Sequence, residues 1–110
     1  MRIYRKSLEV VSSVVRMSRI VQEQDGDLAR QMRRACISVP LNLQEGLYSQ
    51  GGNRVARFHT AMGSARETMA CLDVCVAAAY LKQIEVVEDL DRVDHVIGAL
   101  WKLSRKQSPR

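Results

Sequence analysis

Residues 53–82 read NRVARFHTAMGSARETMACLDVCVAAAYLK. Their apolar positions are Val55, Phe58, Met62, Ala65, Met69, Leu72, Val76 and Ala79, separated by alternating gaps of three and four. That spacing is the seam of a helix packed almost parallel to its partners. No Pro interrupts it, and at about 1.5 Å per residue it would run about 45 Å. A second strip, Ala61, Thr68, Cys71, Cys75 and Ala78, lies beside the first. One solvent-facing helix needs one stripe, so two imply contacts beyond the nearest neighbours, and an oligomer is expected. Gly63 and Ser64 fall in mid-helix, where Gly costs about 1 kcal/mol against Ala. Close approach by another backbone is the expected compensation at Gly63.

Three further amphipathic segments flank this helix. The first is predicted over about Ser7 to Glu23, with Leu8, Val11 and Val15 on one strip and Val10, Val14, Met17 and Val21 on another. Gln24-Asp25-Gly26 breaks it, Gly26 suiting a positive φ after the last turn. The next helix starts at an Asp27 N-cap and carries Leu28, Met32, Ala35, Val39 and Leu43 to about Tyr48. Its Pro40 offers no N–H to the carbonyl of Cys36, so a kink is expected, flanked by Ser38 and Asn42. Gln50-Gly51-Gly52 is a sharp break, after which Asn53 caps the long helix. The fourth helix begins near Glu85, with Val86, Leu90, Val93, Ile97 and Leu100 as its seam and Gln107 to Arg110 fraying beyond it. Four helices on short connections, without strand pattern, imply one all-α domain over residues 1–110, an antiparallel up-down-up-down bundle.

Composition narrows the function classes. Residues 1–66 hold eleven Lys/Arg against five acids, whereas residues 67–110 hold six against seven. Thirteen of the seventeen cations are Arg, a bias suited to bidentate contacts with phosphate or carboxylate. Arg16, Arg19, Arg30, Arg33, Arg34, Arg54 and Arg57 are the candidate nucleic-acid or partner contacts. Arg54 and Arg57 stand in the first turns of their helix, where cations oppose the macrodipole. Cys36, Cys71 and Cys75, odd in number and on apolar faces, read as reduced thiols in a cytoplasm. No apolar run approaches the roughly 20 residues that cross a bilayer, so no membrane association is expected.

No constellation asks for catalysis or a cofactor. Cys71 and Cys75 are one turn apart, but no third ligand stands at metal spacing, and thiols filling an apolar face are the simpler account. His59 lies on a different face from Ser64 and Cys71, and Asp91 with His95 is a surface helix pair. Ser38, Asn42, Glu45 and Glu67 sit at or beside seams and read as a register-fixing polar network, with Arg34 a candidate partner of Glu67.

The segment Ser38-Val39-Pro40-Leu41-Asn42-Leu43-Gln44-Glu45-Gly46 resembles the Ser-Ile-Pro-x-Asn-Ile-Ala-Glu-Gly signature of the four helix bundle protein family. Gln31 to Ala35 matches that family's Gln-x-Arg-Arg-Ala lead-in, Ala61 to Glu67 its Ala-x-Gly-Ser-x-x-Glu, and Tyr80-Leu81 its Gly-Tyr-Leu helix end. The family includes proteins encoded in intervening sequences of bacterial large-subunit ribosomal RNA genes. It also includes Avd, the accessory protein of diversity-generating retroelements, whose ending is similar to Val93–Lys102 here. The third helix departs from Avd, which lacks the Gly-Ser-x-x-Glu form. The resemblance makes Ser38, Pro40, Asn42, Glu45, Gly46, Gly63, Ser64 and Glu67 the structural motif. It implies a basic homopentameric ring of bundles that is no enzyme. Such a ring would bind RNA or DNA and could partner a reverse transcriptase; the alternatives are an intervening-sequence protein of unestablished role and a purely structural oligomer.

Overall fold

The computed structural model describes residues 1–106 and consists of four helices: α1 (Arg2–Gln22), α2 (Gly26–Leu47), α3 (Gly51–Ala77) and α4 (Gln83–Arg105). The expected fraying of Gln107 to Arg110 lies outside the described residues. Each helix packs on its sequence neighbour, and α1 closes on α4, in a body of 50 × 22 × 20 Å. No strand occurs among the described residues.

The boundaries differ from the sequence reading where a neighbour decides them. α1 starts at Arg2 because Ile3 and Tyr4 pack against the core and Ser7 turns inward, leaving Arg2 and Arg5 exposed. α2 is capped by Asp25 rather than Asp27: the Asp25 Oδ1 accepts from the Leu28 N–H at 3.0 Å, and the Tyr80 hydroxyl reaches its other oxygen at 3.4 Å. Gly26 therefore lies inside the first turn, and the positive φ expected there belongs to Gly51, at +59°. Gln50, not Asn53, is the N-cap of α3. α3 stops at Ala77, five residues before Lys82, in a left-handed turn with Ala79 at φ +64°. There the Ala79 N–H donates to the Val76 carbonyl and the Tyr80 N–H to the Cys75 carbonyl, a Schellman closure that Gly ordinarily makes. At the start of α4 the Glu85 carboxylate accepts from the Lys82 N–H at 2.7 Å.

The core follows the three-four spacing. Of the two α1 strips the bundle buries Val10, Val14, Met17 and Val21, leaving Val11 and Val15 half-buried and Leu8 exposed. Most of both α3 strips is buried inside the chain: Phe58, Ala61, Met62, Ala65, Thr68, Cys71, Leu72 and Cys75 are buried. Val55, Met69 and Val76 are half-buried, and Ala78 and Ala79 are exposed. The second strip thus needs no second copy, because α3 spans a wide arc between α2 and α4. Gly63 is exposed, and among the described residues nothing beyond its own stretch of helix comes within 4 Å of where a Cβ would stand. The close approach occurs instead at Gly46, where a Cβ would lie 2.6 Å from Cε1 of Phe58. Phe58 itself is fully enclosed; burying such a ring is worth about 1.5–3 kcal/mol.

Candidate functional site

The face shared by α2 and α3 carries a line of polar bridges. Gln31 Nε2 donates to Glu67 Oε2 at 3.3 Å, and Ser64 Oγ to Ser38 Oγ at 2.8 Å. Asn42 Nδ2 donates to the Ser38 carbonyl at 3.0 Å and to Ser38 Oγ at 2.9 Å, and its Oδ1 accepts from Arg57 at 3.2 Å. Ser38, Asn42, Ser64 and Arg57 are therefore linked across the two helices, while Glu67 bridges them separately through Gln31. The partner of Glu67 is Gln31, and no ion pair joins Glu67 to Arg34. Pro40 stays inside α2 and is buried, and Gly46 is the seat of the Phe58 ring. Glu45 and Gly63 are exposed and stand apart from the network.

The seven arginines divide by what they hold. Arg33 is half-buried and ties α2 to α1 through Ser18 Oγ at 3.2 Å and Gln22 Oε1 at 3.3 Å. Arg54 donates to the carbonyls of Gly46 at 3.3 Å and Leu47 at 3.1 Å, with its guanidinium 5.0 Å from the Phe58 centroid. It caps the carbonyl end of α2, a cation at a helix C-terminus. Its place at the start of α3, unfavourable to α3 alone, has a stabilising cause after all. Arg30 holds Asp27 at 2.6 Å on the surface. Arg16, Arg19 and Arg34 are exposed and make no hydrogen bond or ion pair among the described residues.

Two grooves adjoin these cations. One of about 580 Å³ runs between α2 and α3, with Asp27, Arg30, Gln31, Arg34, Ala35 and Ser38 on one wall and Ser64 and Glu67 on the other. The other, about 320 Å³, is lined by Val11, Ser12, Val15, Arg16 and Arg19 of α1.

The acids of α4 are not one solvated face. Asp89 is 2% exposed, accepts from Ser13 Oγ, and pairs with Arg92 at 3.1 Å; Arg92 also reaches Glu9 at 3.5 Å. The signal was legible: Val86, Asp89, Val93, Val96 and Leu100 keep the three-four spacing with an acid in a core position. The three thiols are free and buried, and burial pushes Cys36 and Cys75 up to about 11. Thiols held protonated are poor nucleophiles and ligands.

The family model for the 23S rRNA-intervening sequence protein matches residues 1–102. The chain belongs to that family. A crystal structure similar to this intervening-sequence family member is that of a protein of unknown function from the S23 ribosomal protein family of Bacteroides thetaiotaomicron. The two share 17% identity at a TM-score of 0.86, over 93% of this chain and 97% of the other. That likeness is one of fold. No curated protein matches. No helix among the described residues is long and apolar enough to cross a membrane.

Proposed function

We propose that this member of the intervening-sequence family is a non-catalytic, oligomeric nucleic-acid-binding protein of the cytoplasm, built as one domain. The observation that carries the reading is the set of exposed arginines the fold does not use: Arg16, Arg19 and Arg34 among the described residues. Arg30 and Arg57 add to it from the same α2–α3 face. Phosphate contacts of this kind hold a chain by charge and carry no base sequence.

The bundle is read as up-down-up-down. This is supported by bridges that climb α2 while descending α3: Gln31 to Glu67, Ser38 to Ser64, Asn42 to Arg57. A bend of α2 is read at Pro40, which lies inside the helix and offers no N–H to the Cys36 carbonyl. Assembly is supported by exposed apolar side chains, Leu41 at 62%, Ile84 at 77% and Tyr48 at 84%. A ring of five follows from the family resemblance. A reverse transcriptase as protein partner rests on the likeness of residues 93–102 to Avd's ending; half-exposed Trp101, under the Arg105 guanidinium at 4.6 Å, is where it would be met.

The test is fluorescence anisotropy with labelled single-stranded and duplex oligonucleotides, for the native chain and for Arg16→Glu/Arg19→Glu/Arg34→Glu. The native chain binds with little sequence preference, and its affinity falls linearly in log salt, by about 0.9 per phosphate contacted. The triple variant keeps its mass by light scattering and loses binding. Unchanged binding by the variant, or no binding by the native chain at low salt, refutes the reading.

A further inference from the structure

We propose that the α2–α3 groove seats one ribonucleotide of a single-stranded RNA, with its phosphate on the Arg30–Arg34 wall and its 2′-hydroxyl on Glu67. The inference rests on the nucleic-acid reading above and gives it a ligand class. At about 580 Å³ the groove falls within the roughly 300–1,000 Å³ of small-molecule sites.

Three features select the ligand. Arg30 and Arg34 are one turn apart on one wall, and Arg34 has no partner among the described residues. Their spacing offers one anion the Arg34 fork together with the donors of Arg30 that its 2.6 Å pair with Asp27 leaves over. Beside them, Ser38 and Ser64 share a single hydrogen bond of 2.8 Å, while Ser38 also accepts from Asn42. Two hydroxyls carry two protons, and one proton bridges them. Whichever way that bridge runs, the remaining O–H has no acceptor among the described residues and is offered to the groove.

The third feature is Glu67. With Asp27 it balances the two arginines, so the groove's formal charge is zero. A bare polyanion gains little from a neutral lining. A ligand that joins an anion to hydroxyl donors gains at both walls, and a ribonucleotide is such a ligand. Glu67 accepts from Gln31 through Oε2 only, which leaves Oε1 for a donor. A 2′-hydroxyl donates there; deoxyribose has none, so Glu67 discriminates RNA from DNA.

Anisotropy with labelled oligouridine and oligodeoxyuridine of equal length tests this on the native chain, Glu67→Gln and Arg34→Gln. The native chain prefers RNA by about tenfold, the worth of one hydrogen bond to a charged group. Glu67→Gln keeps the contact to Gln31 and lowers the RNA:DNA ratio severalfold without weakening DNA binding, because the amide offers the 2′-hydroxyl a neutral hydrogen bond in place of a charged one. Arg34→Gln weakens both ligands alike and lowers the salt slope by about one. Equal native affinities, or a ratio that Glu67→Gln does not move, overturn the groove assignment while the broader reading stands. Native binding to neither oligonucleotide overturns both. A groove serving a protein partner would leave every affinity unchanged in both variants, and that result also overturns it.

Discussion

Gly46 and Gly63 both lie inside long helices, and the same substitution should move stability in opposite directions at the two. A Cβ at Gly46 would stand 2.6 Å from Cε1 and 2.7 Å from Cδ1 of Phe58, and 3.3 Å from Cβ of Arg57. Carbon atoms rest at about 3.5–4.0 Å, so the ring must retreat by about 1 Å. It has no room: Phe58 is fully buried, and the Arg54 guanidinium lies over it. Overpacking of this severity costs about 3 kcal/mol, and the gain in helix propensity offsets about 1. Gly46→Ala therefore loses about 2 kcal/mol, which for a domain of this size lowers Tm by about 10 °C. Gly63→Ala meets nothing within 4 Å, so it keeps the propensity gain of about 0.5–1 kcal/mol and raises Tm by several degrees. Thermal and urea melts followed by far-UV circular dichroism decide it, with light scattering to track mass. A higher Tm for Gly46→Ala would refute the packing argument. A concentration-dependent loss of stability in Gly63→Ala would place another chain's backbone over that face.

Ala79→Gly should gain about 0.5–1 kcal/mol in the same melts, because Gly relieves the strain of φ +64°. Arg92→Met should cost about 2 kcal/mol, since it strands the buried Asp89 carboxylate; a neutral result would mean that Ser13 alone satisfies it. Stability should fall as pH rises from 9 to 11. Over that range the unfolded chain sheds thiol protons that folded Cys36 and Cys75, pushed up to about 11, retain. Cys36→Ala/Cys75→Ala should flatten the alkaline limb of the melting profile.

Helix number and most of the core were legible because the three-four spacing survives in all four segments. What the pattern left open was rotational phase and neighbours. On α1 two adjacent strips were equally apolar, and only the position of α2 and α4 selects the one with Val14 and Val21. Asp25 and Asp27 both satisfy the local cap signal, and the choice of Asp25 is reinforced from the far end of α3 by Tyr80. Arg54 looked anomalous because the macrodipole argument considered its own helix, whereas its guanidinium answers the carbonyls of the preceding one. At the site, of Ser38, Asn42, Glu45 and Glu67, the first two are hydrogen-bonded and Ser64 joins them. Glu67 bridges separately to Gln31, and Glu45 is exposed and stands apart. Which arginines the fold would leave free depends on cross-helix distances that spacing alone does not contain.

The closure of α1 on α4 bears on how the bundle folds and opens. α1–α2, α2–α3 and α3–α4 join neighbours in the chain, whereas α1–α4 brings its two ends together through the sparsest packing. Contacts between sequence neighbours form early because little loop entropy opposes them, so the α2–α3 hairpin, stapled by Phe58 and the Ser38–Ser64 bridge, is the natural nucleus. The terminal seam then forms last and parts first, with Ser13, Asp89 and Arg92 as its latch. Native-state hydrogen exchange should find α1 and α4 less protected than α2 and α3; uniform protection would contradict this order. Each opening uncovers Val10, Val14 and Val93, an apolar strip that another opened chain can fill, so the same seam is the route to domain swapping.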